Sequence, residues 1–395
     1  MPEGRGRLPV QEARNVRQID PFVYNATLMG TTDPAPPQKP LASPERSRIV
    51  EAIETRLPFA RTFKKLTALA GDASNRRYFR VEFNESAPRS LILMQLAEPE
   101  AFKHSEEAVS GASHQITELP FLNIRTHLAN AGVPVPELYY YDQAAGLLYL
   151  EDFGDLTLSD ACRDAQPQTV EALYRQAVDV LVDMQTKATS PADPRCLAFH
   201  RGFDVPLLMW EFDHFLEYGI AARRGQPMAD GEFSEIRDEF RKIAEQLAGQ
   251  PRVFVHRDYH SRNLMVDGRR LGVIDFQDAL MGPATYDLAS LLRDAYIALD
   301  EALIDRLIDY FLDRLEERHH LWTNRDAFRR LFDFTSVQRN LKAAGRFVYI
   351  DRVKGNPKFL ADIPRTLGYV KRNLHKYSEL CALRKLLSTH VTELR

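Results

Sequence analysis

V-H-R-D-Y-H-S-R-N-L-M-V at 255–266, D-G-R-R-L-G-V-I-D-F-Q-D at 267–278 and G-P-A-T-Y-D at 282–287 form the stretch that decides the reading of this chain. Leu264, Met265 and Val266 read as one short strand, Asp267-Gly268 as a tight turn, and Leu271 to Ile274 as the returning strand. Asp258 stands five positions before Asn263, and Asn263 twelve before Asp275. The hairpin therefore brings Asn263 and Asp275 side by side, with Asp258 on the loop just ahead of them. Phosphoryl transfer from ATP asks little covalent chemistry of a protein; it needs oxygen ligands for a metal and an oriented nucleophile. Magnesium takes such oxygens and keeps several waters, so Asn263 and Asp275 suffice as protein ligands for Mg2+. Asp258 is placed to accept the proton of an attacking hydroxyl.

His256, Arg257, Asp258 and Asn263 match H-R-D-x-x-x-x-N, so the segment resembles the catalytic loop of the protein-kinase-like superfamily. Asp275-Phe276-Gln277 stands where those proteins carry D-F-G, and Gly282-Pro283, Tyr286-Asp287-Leu288-Ala289 follow. Together these resemble the aminoglycoside-phosphotransferase branch of small-molecule kinases. Further pieces are most similar to the anomeric kinases for N-acetylmuramic acid and N-acetylglucosamine of cell-wall recycling. They are Gly71-Asp72-Ala73-Ser74 with Arg76 to Arg80, Ala131 to Pro136, Gln338-Arg339-Asn340-Leu341-Lys342, and Phe359 to Arg365.

The resemblance implies a bilobal α+β fold of protein-kinase type, with a small β-rich lobe ahead of a larger helical one. It also implies ATP as phosphoryl donor, with Ser74 in the loop over the phosphates and the backbone around Glu151 and Phe153 facing the adenine. Two departures stand out. The loop at 71–75 has a single glycine, and Leu93-Met94-Gln95 replaces the V-A-I-K segment, so the phosphate-gripping lysine is absent there. Arg76 and Arg77 are the cations available beside the loop; two solvated charges on a strand edge would look the same.

At 395 residues, 44% apolar, the chain exceeds one ordinary core, which predicts a nucleotide-binding lobe over 46–150 and a catalytic, acceptor-binding lobe over 151–395. Prolines at 2, 9, 21, 34, 36, 37, 40 and 44 leave no helical or strand period, so residues 1–45 read as a disordered leader, with Met29 an alternative start. The net charge of -3 gives no reason to expect nucleic acid, and no apolar run is long enough to cross a bilayer. Three scattered cysteines, Cys162, Cys196 and Cys381, suit structural thiols in a reducing cytoplasm. Nothing bears on oligomeric state.

Apolar periodicity predicts strands over 63–69, 77–83, 91–96, 138–141 and 147–150. It predicts helices over 49–57, 119–130, 169–187, 206–218, 232–247, 286–299, 301–315, 325–347 and 363–373. For the acceptor, Asp204 and Glu211 lie among Phe203, Trp210 and Phe212, the aromatic and carboxylate pairing that sugars meet, although the same spacing also describes a core face. Arg339, in the segment resembling the amino-sugar kinases, would hold the carboxylate of a muramic acid. His256, Asp258 and His260 form H-x-D-x-H, but no completing ligand supports zinc. Three functions stay open: an amino-sugar kinase, a kinase of another alcohol such as an aminoglycoside or choline-like compound, and a nucleotide-binding pseudokinase.

Overall fold

The computed structural model describes residues 43–69, 76–85, 87–97, 118–268, 270–318 and 324–395. The expected leader, but for its last three residues, and the turn holding Ser74 lie outside them. Arg46–Arg395 form one compact unit. In chain order its elements are α1 Arg46–Thr55, β1 Phe63–Leu69, β2 Arg77–Phe83, β3 Ser90–Gln95, α2 Pro120–Asn130, β4 Leu138–Asp142, β5 Leu147–Glu151, α3 Leu158–Cys162, α4 Pro167–Lys187, α5 Val205–His214, α6 Asp230–Ala248, β6 Arg252–Val255, β7 Leu264–Asp267, β8 Arg270–Val273, β9 Leu280–Pro283, α7 Thr285–Leu292, α8 Glu301–Glu317, α9 Arg325–Lys354, α10 Ile363–Lys376 and α11 Cys381–His390.

The first five strands make one antiparallel sheet in the order β1-β2-β3-β5-β4. Side chains alternate across a strand, so the sheet has two faces with different partners. Phe79, Val81, Leu91, Leu93 and Tyr149 pack under Ile49, Ala52 and Ile53 of α1. Met94, Leu148 and Leu150 point the other way, onto Phe121, Ile124 and Leu128 of α2. The mostly helical remainder follows, giving the α+β order expected. No helix among the described residues is long and apolar enough to cross a membrane.

Two short antiparallel pairs carry the decisive stretch. β6 pairs with β9, and β7 with β8 in the register Leu264↔Val273 to Asp267↔Arg270, the hairpin read from sequence. Gly268 at its turn has φ +60°, a backbone region that glycine enters without steric cost.

Where helices depart from expectation, a tertiary contact accounts for it. The helix predicted over 286–299 stops at Leu292, because the Asp294 carboxylate accepts N–H groups from Ser261 (2.8 Å) and Tyr296 (2.8 Å) and draws the chain toward the loop between β6 and β7. The helix predicted over 206–218 becomes π-helical over Phe215–Ala222. There α9 crosses so closely that a Cβ on Gly345 would stand 2.9 Å from Phe215 Cα. β6, β9, α3 and α11 were not anticipated.

Candidate active site

The loop between β6 and β7 is held by buried polar groups. His256 is fully buried; its Nε2–H donates to the Ile274 carbonyl (2.9 Å) and its Nδ1 accepts the Asp258 N–H (3.2 Å). Burial pushes its pKa down, and the two bonds fit the neutral ring. Asp287, also fully buried, accepts the N–H groups of His256 (2.6 Å) and Arg257 (2.9 Å). Burial lifts its carboxyl to about 7 against the pull of those bonds, and both oxygens act as acceptors, the arrangement of a carboxylate. Between these anchors Arg257 adopts φ +82°, a left-handed conformation that a side chain adopts only when its surroundings enforce it.

That kink presents Asp258 to a cleft of about 670 Å³. Burial alone would raise its carboxyl. The positive charges around it, Lys342 foremost and then Arg339 and Arg257, more than reverse this and hold it well below the usual carboxylate range. Asp258 therefore stands ionised, the form that accepts a proton. Asn263 donates its amide N–H to the Asp258 carbonyl (2.9 Å), which leaves the amide oxygen as its remaining polar group. Its own carbonyl accepts the Ile274 N–H (3.0 Å), which carries the β7–β8 ladder one step further and sets Asp275 beside it. Asp275 has φ +65°, and its Oδ1 accepts from Gln277 Nε2 (2.9 Å), so the residue replacing the usual glycine braces the carboxylate. Asn263 and Asp275 both line the cleft. An amide oxygen and a carboxylate are hard donors, which suit a divalent cation of the magnesium class. Zinc does not fit: both His256 ring nitrogens are occupied, and no group of three or more His, Cys, Asp or Glu able to hold a metal occurs among the described residues.

The sheet side of the cleft is largely apolar, with Tyr78, Ile92, Leu150, Met265 and Phe276 in its wall. Glu151 and Phe153 line it too, but their side chains serve the protein. Glu151 pairs with Arg270 (2.6 Å), and a Cβ on Gly272 would lie 2.4 Å from the Phe153 ring. Backbone groups are what this segment can offer a base. Asp152 between them accepts from Arg80 (2.6 Å), Ser90 (2.6 Å) and the Gly154 N–H (2.9 Å). Arg80 reaches Asp155 as well (2.7 Å), so the cation that sequence reading overlooked in this wall is already neutralised.

Arg76 and Arg77 cannot act as a pair. Arg77 stacks over Phe79 (5.0 Å), which belongs to the α1 face of the sheet. Arg76 hydrogen-bonds Tyr78, a residue of the cleft wall. Arg76 stands one residue ahead of β2, and these contacts turn the two side chains to different faces of the sheet. Arg76→Ala is expected to raise the Michaelis constant for ATP by about 3- to 10-fold, the net worth of one solvent-accessible hydrogen bond, and Arg77→Ala to leave it unchanged. Equal effects in steady-state kinetics would show that neither strand position reaches the nucleotide selectively.

The opposite wall comes from α9, whose Arg339, Lys342, Ala343, Arg346, Phe347 and Ile350 follow one helical stripe along the cleft. Arg262, Tyr296 and Phe359 complete it. Two sequence expectations are corrected here. Asp204 does not reach the cleft: it caps α5, its Oδ1 accepting the Leu207 N–H (2.9 Å). Glu211 is fully buried on the inner face of α5, paired with Arg257 (2.7 Å) and Lys342 (3.1 Å) and accepting from Gln338 (2.8 Å). It ties the loop between β6 and β7 to α9. Arg339 does line the cleft. Arg262, Tyr296, Phe347 and Phe359 were not singled out as site residues; only the α9 stripe carried a readable signal for Phe347.

Comparison with known proteins places this arrangement. Residues 65–322 match the family model described as the phosphotransferase enzyme family. The N-acetylmuramate/N-acetylglucosamine kinase of Neisseria meningitidis is 32% identical over 324 residues, covering 82% of this chain and 89% of that protein. The protein of the same description from Pseudomonas aeruginosa is 31% identical over 326 residues, covering 82% and 88%. Among solved structures, choline kinase from Cryptosporidium parvum superposes with TM-score 0.57 at 13% identity, covering 87% of this chain and all of that one. The gentamicin complex of the aminoglycoside phosphotransferase APH(2")-IIa gives 0.54 at 13%, covering 83% and 97%. At these identities the structural neighbours speak for the fold alone. The family match and the two kinases, which span most of the chain, show that it belongs to the phosphotransferase enzyme family, as an enzyme of kinase-like α+β fold.

Proposed function

We propose that the protein transfers the terminal phosphoryl group of ATP to the anomeric hydroxyl of N-acetylmuramate or N-acetylglucosamine, in cytoplasmic salvage of cell-wall sugars. The carrying observation is the convergence of ionised Asp258, Asn263 and Asp275 on one cleft, opposite the basic and aromatic stripe of α9. The nucleotide base rests between the apolar sheet wall of the 46–150 part and the backbone at Glu151–Phe153. Asn263 and Asp275 hold Mg2+, which supplies charge neutralisation at the phosphates. Asp258 orients the acceptor hydroxyl and takes its proton as the new phosphorus–oxygen bond forms and the bond to the leaving ADP breaks. Arg339 faces the acceptor.

Charge favours this acceptor over the alternatives. Arg262, Arg339, Lys342 and Arg346 all border the acceptor end, and Asp294 there is engaged by two backbone N–H groups. A choline or aminoglycoside cation would meet repulsion, whereas a neutral or anionic sugar would not. The catalytic aspartate and both oxygen ligands stand together, which speaks against a pseudokinase. The test is ATP consumption by the purified protein against amino sugars, aminoglycosides and choline. The two amino sugars are expected to exceed the cationic acceptors in kcat/KM by at least about tenfold. Preferred turnover of choline or an aminoglycoside would overturn the acceptor assignment.

A further inference from the structure

Two guanidinium groups at the acceptor end of the cleft carry buried donors that no described residue takes up. Arg339 is 6% exposed and lines the cleft, and its Nε has no hydrogen-bond partner. Arg262, four positions after Asp258, lines the same cleft, and its Nη1 is likewise buried without a partner. Its guanidinium carbon lies 3.7 Å from the centroid of the Tyr296 ring and 5.9 Å from that of Phe359, a stack that fixes the plane of the fork. The charges of Arg262 and Arg339 both act on the Tyr296 hydroxyl, which burial foremost raises, so the two cations converge on one ring. Of the other cations of the cleft, Lys342 is paired with Glu211, Arg80 with Asp152 and Asp155, and Arg346 lies over the Tyr349 ring (4.6 Å). Asp362, whose charge Arg262 also touches, pairs with Arg365 (3.7 Å).

A desolvated guanidinium N–H without an acceptor costs free energy, and the group that best satisfies two such forks is a planar anion. N-acetylmuramate carries a carboxylate on an ether arm; N-acetylglucosamine is the same sugar without it. Given the amino-sugar reading, we propose that Arg262 and Arg339 together form the recognition site for that carboxylate and set the preference between the two acceptors. Arg339 supplies the buried charge from α9, and Arg262 the oriented fork from the catalytic loop. The reacting hydroxyl is then placed at Asp258 by an anchor on a remote part of the substrate.

The experiment compares kcat/KM of the full-length protein for the two amino sugars in Arg339→Leu and Arg262→Leu, with lysine variants alongside. Each leucine variant should lower the ratio of kcat/KM for N-acetylmuramate over N-acetylglucosamine by about 10- to 100-fold, mainly through the KM for N-acetylmuramate. Lysine, which keeps the charge but not the fork, should restore part of the loss. Circular dichroism checks the fold, and Arg262, the more exposed of the two, carries the test if Arg339→Leu fails to fold. Parallel losses with both sugars, or an unchanged ratio, overturn the proposal. If the unaltered protein phosphorylates neither sugar, the amino-sugar reading falls; calorimetric titration with N-acetylmuramate then decides the carboxylate site, and no binding, or binding unaltered in both variants, rejects it.

Discussion

Asp258→Asn is expected to lower kcat by about 10²- to 10⁴-fold, the range of a positioned general base, while leaving the Michaelis constant for ATP near its original value. The amide is isosteric. It also keeps the backbone contacts of the loop, since the Asp258 carbonyl and not its carboxylate accepts from Asn263 Nδ2 and the His260 N–H. What disappears is the group that takes the proton. The surrounding cations hold the Asp258 carboxyl well below its ordinary range. The base form is therefore fully present near neutrality, and the rate should show no acid limb there from this residue. Steady-state kinetics of the purified variant decide: lost ATP binding with an unchanged rate in the bound enzyme would mean that Asp258 serves the nucleotide.

Asp275→Ala is expected to match or exceed that loss, at about 10³-fold or more, because it deletes the carboxylate ligand of the ion that offsets charge on the phosphates. Asn263→Ala should fall less far. Raising the magnesium concentration should recover part of the Asn263→Ala activity and little of the Asp275→Ala activity, since a neutral amide contributes less to the site than a charged oxygen. The fold should persist in both, as neither side chain joins a core cluster. Turnover measured against magnesium concentration tests this, and near-normal activity in Asp275→Ala would remove the residue from the metal site.

The parts of this site that could be read from sequence are those formed by neighbours along the chain. Asp258, Asn263 and Asp275 lie on one loop and one hairpin, and Gly268 marks the turn that brings the last two together, so spacing and strand alternation sufficed. The five strands were readable as short apolar runs, and β1–β2, β2–β3 and β4–β5 pair across short connections, whereas β3–β5 pairs across the stretch that holds α2. Alternation along β2 likewise sets Arg77 on the face of Phe79, away from Tyr78 in the cleft wall.

What could not be read depends on meetings of distant segments. Glu211 sits 46 residues from Arg257 and 127 from Gln338, and only their convergence turns a sugar-like carboxylate into a buried counter-ion. Ser261 meets Asp294 across 33 residues, which is why α7 ends early where periodicity continues. The acceptor wall joins Arg262, Tyr296 and Phe359 with α9, three separate stretches with no common period. Gly345 shows nothing unusual within its own helix; its need for a missing side chain comes from the π-helical segment crossing it.

The central claim, that phosphate passes to the anomeric hydroxyl of an amino sugar, is met most directly by phosphorus and proton NMR of the product formed from N-acetylmuramate and ATP. A sugar 1-phosphate is predicted, with phosphorus coupled to the anomeric proton and no free reducing end. Coupling to the protons of the exocyclic hydroxymethyl carbon, or no product from either amino sugar while another alcohol is phosphorylated, would contradict it.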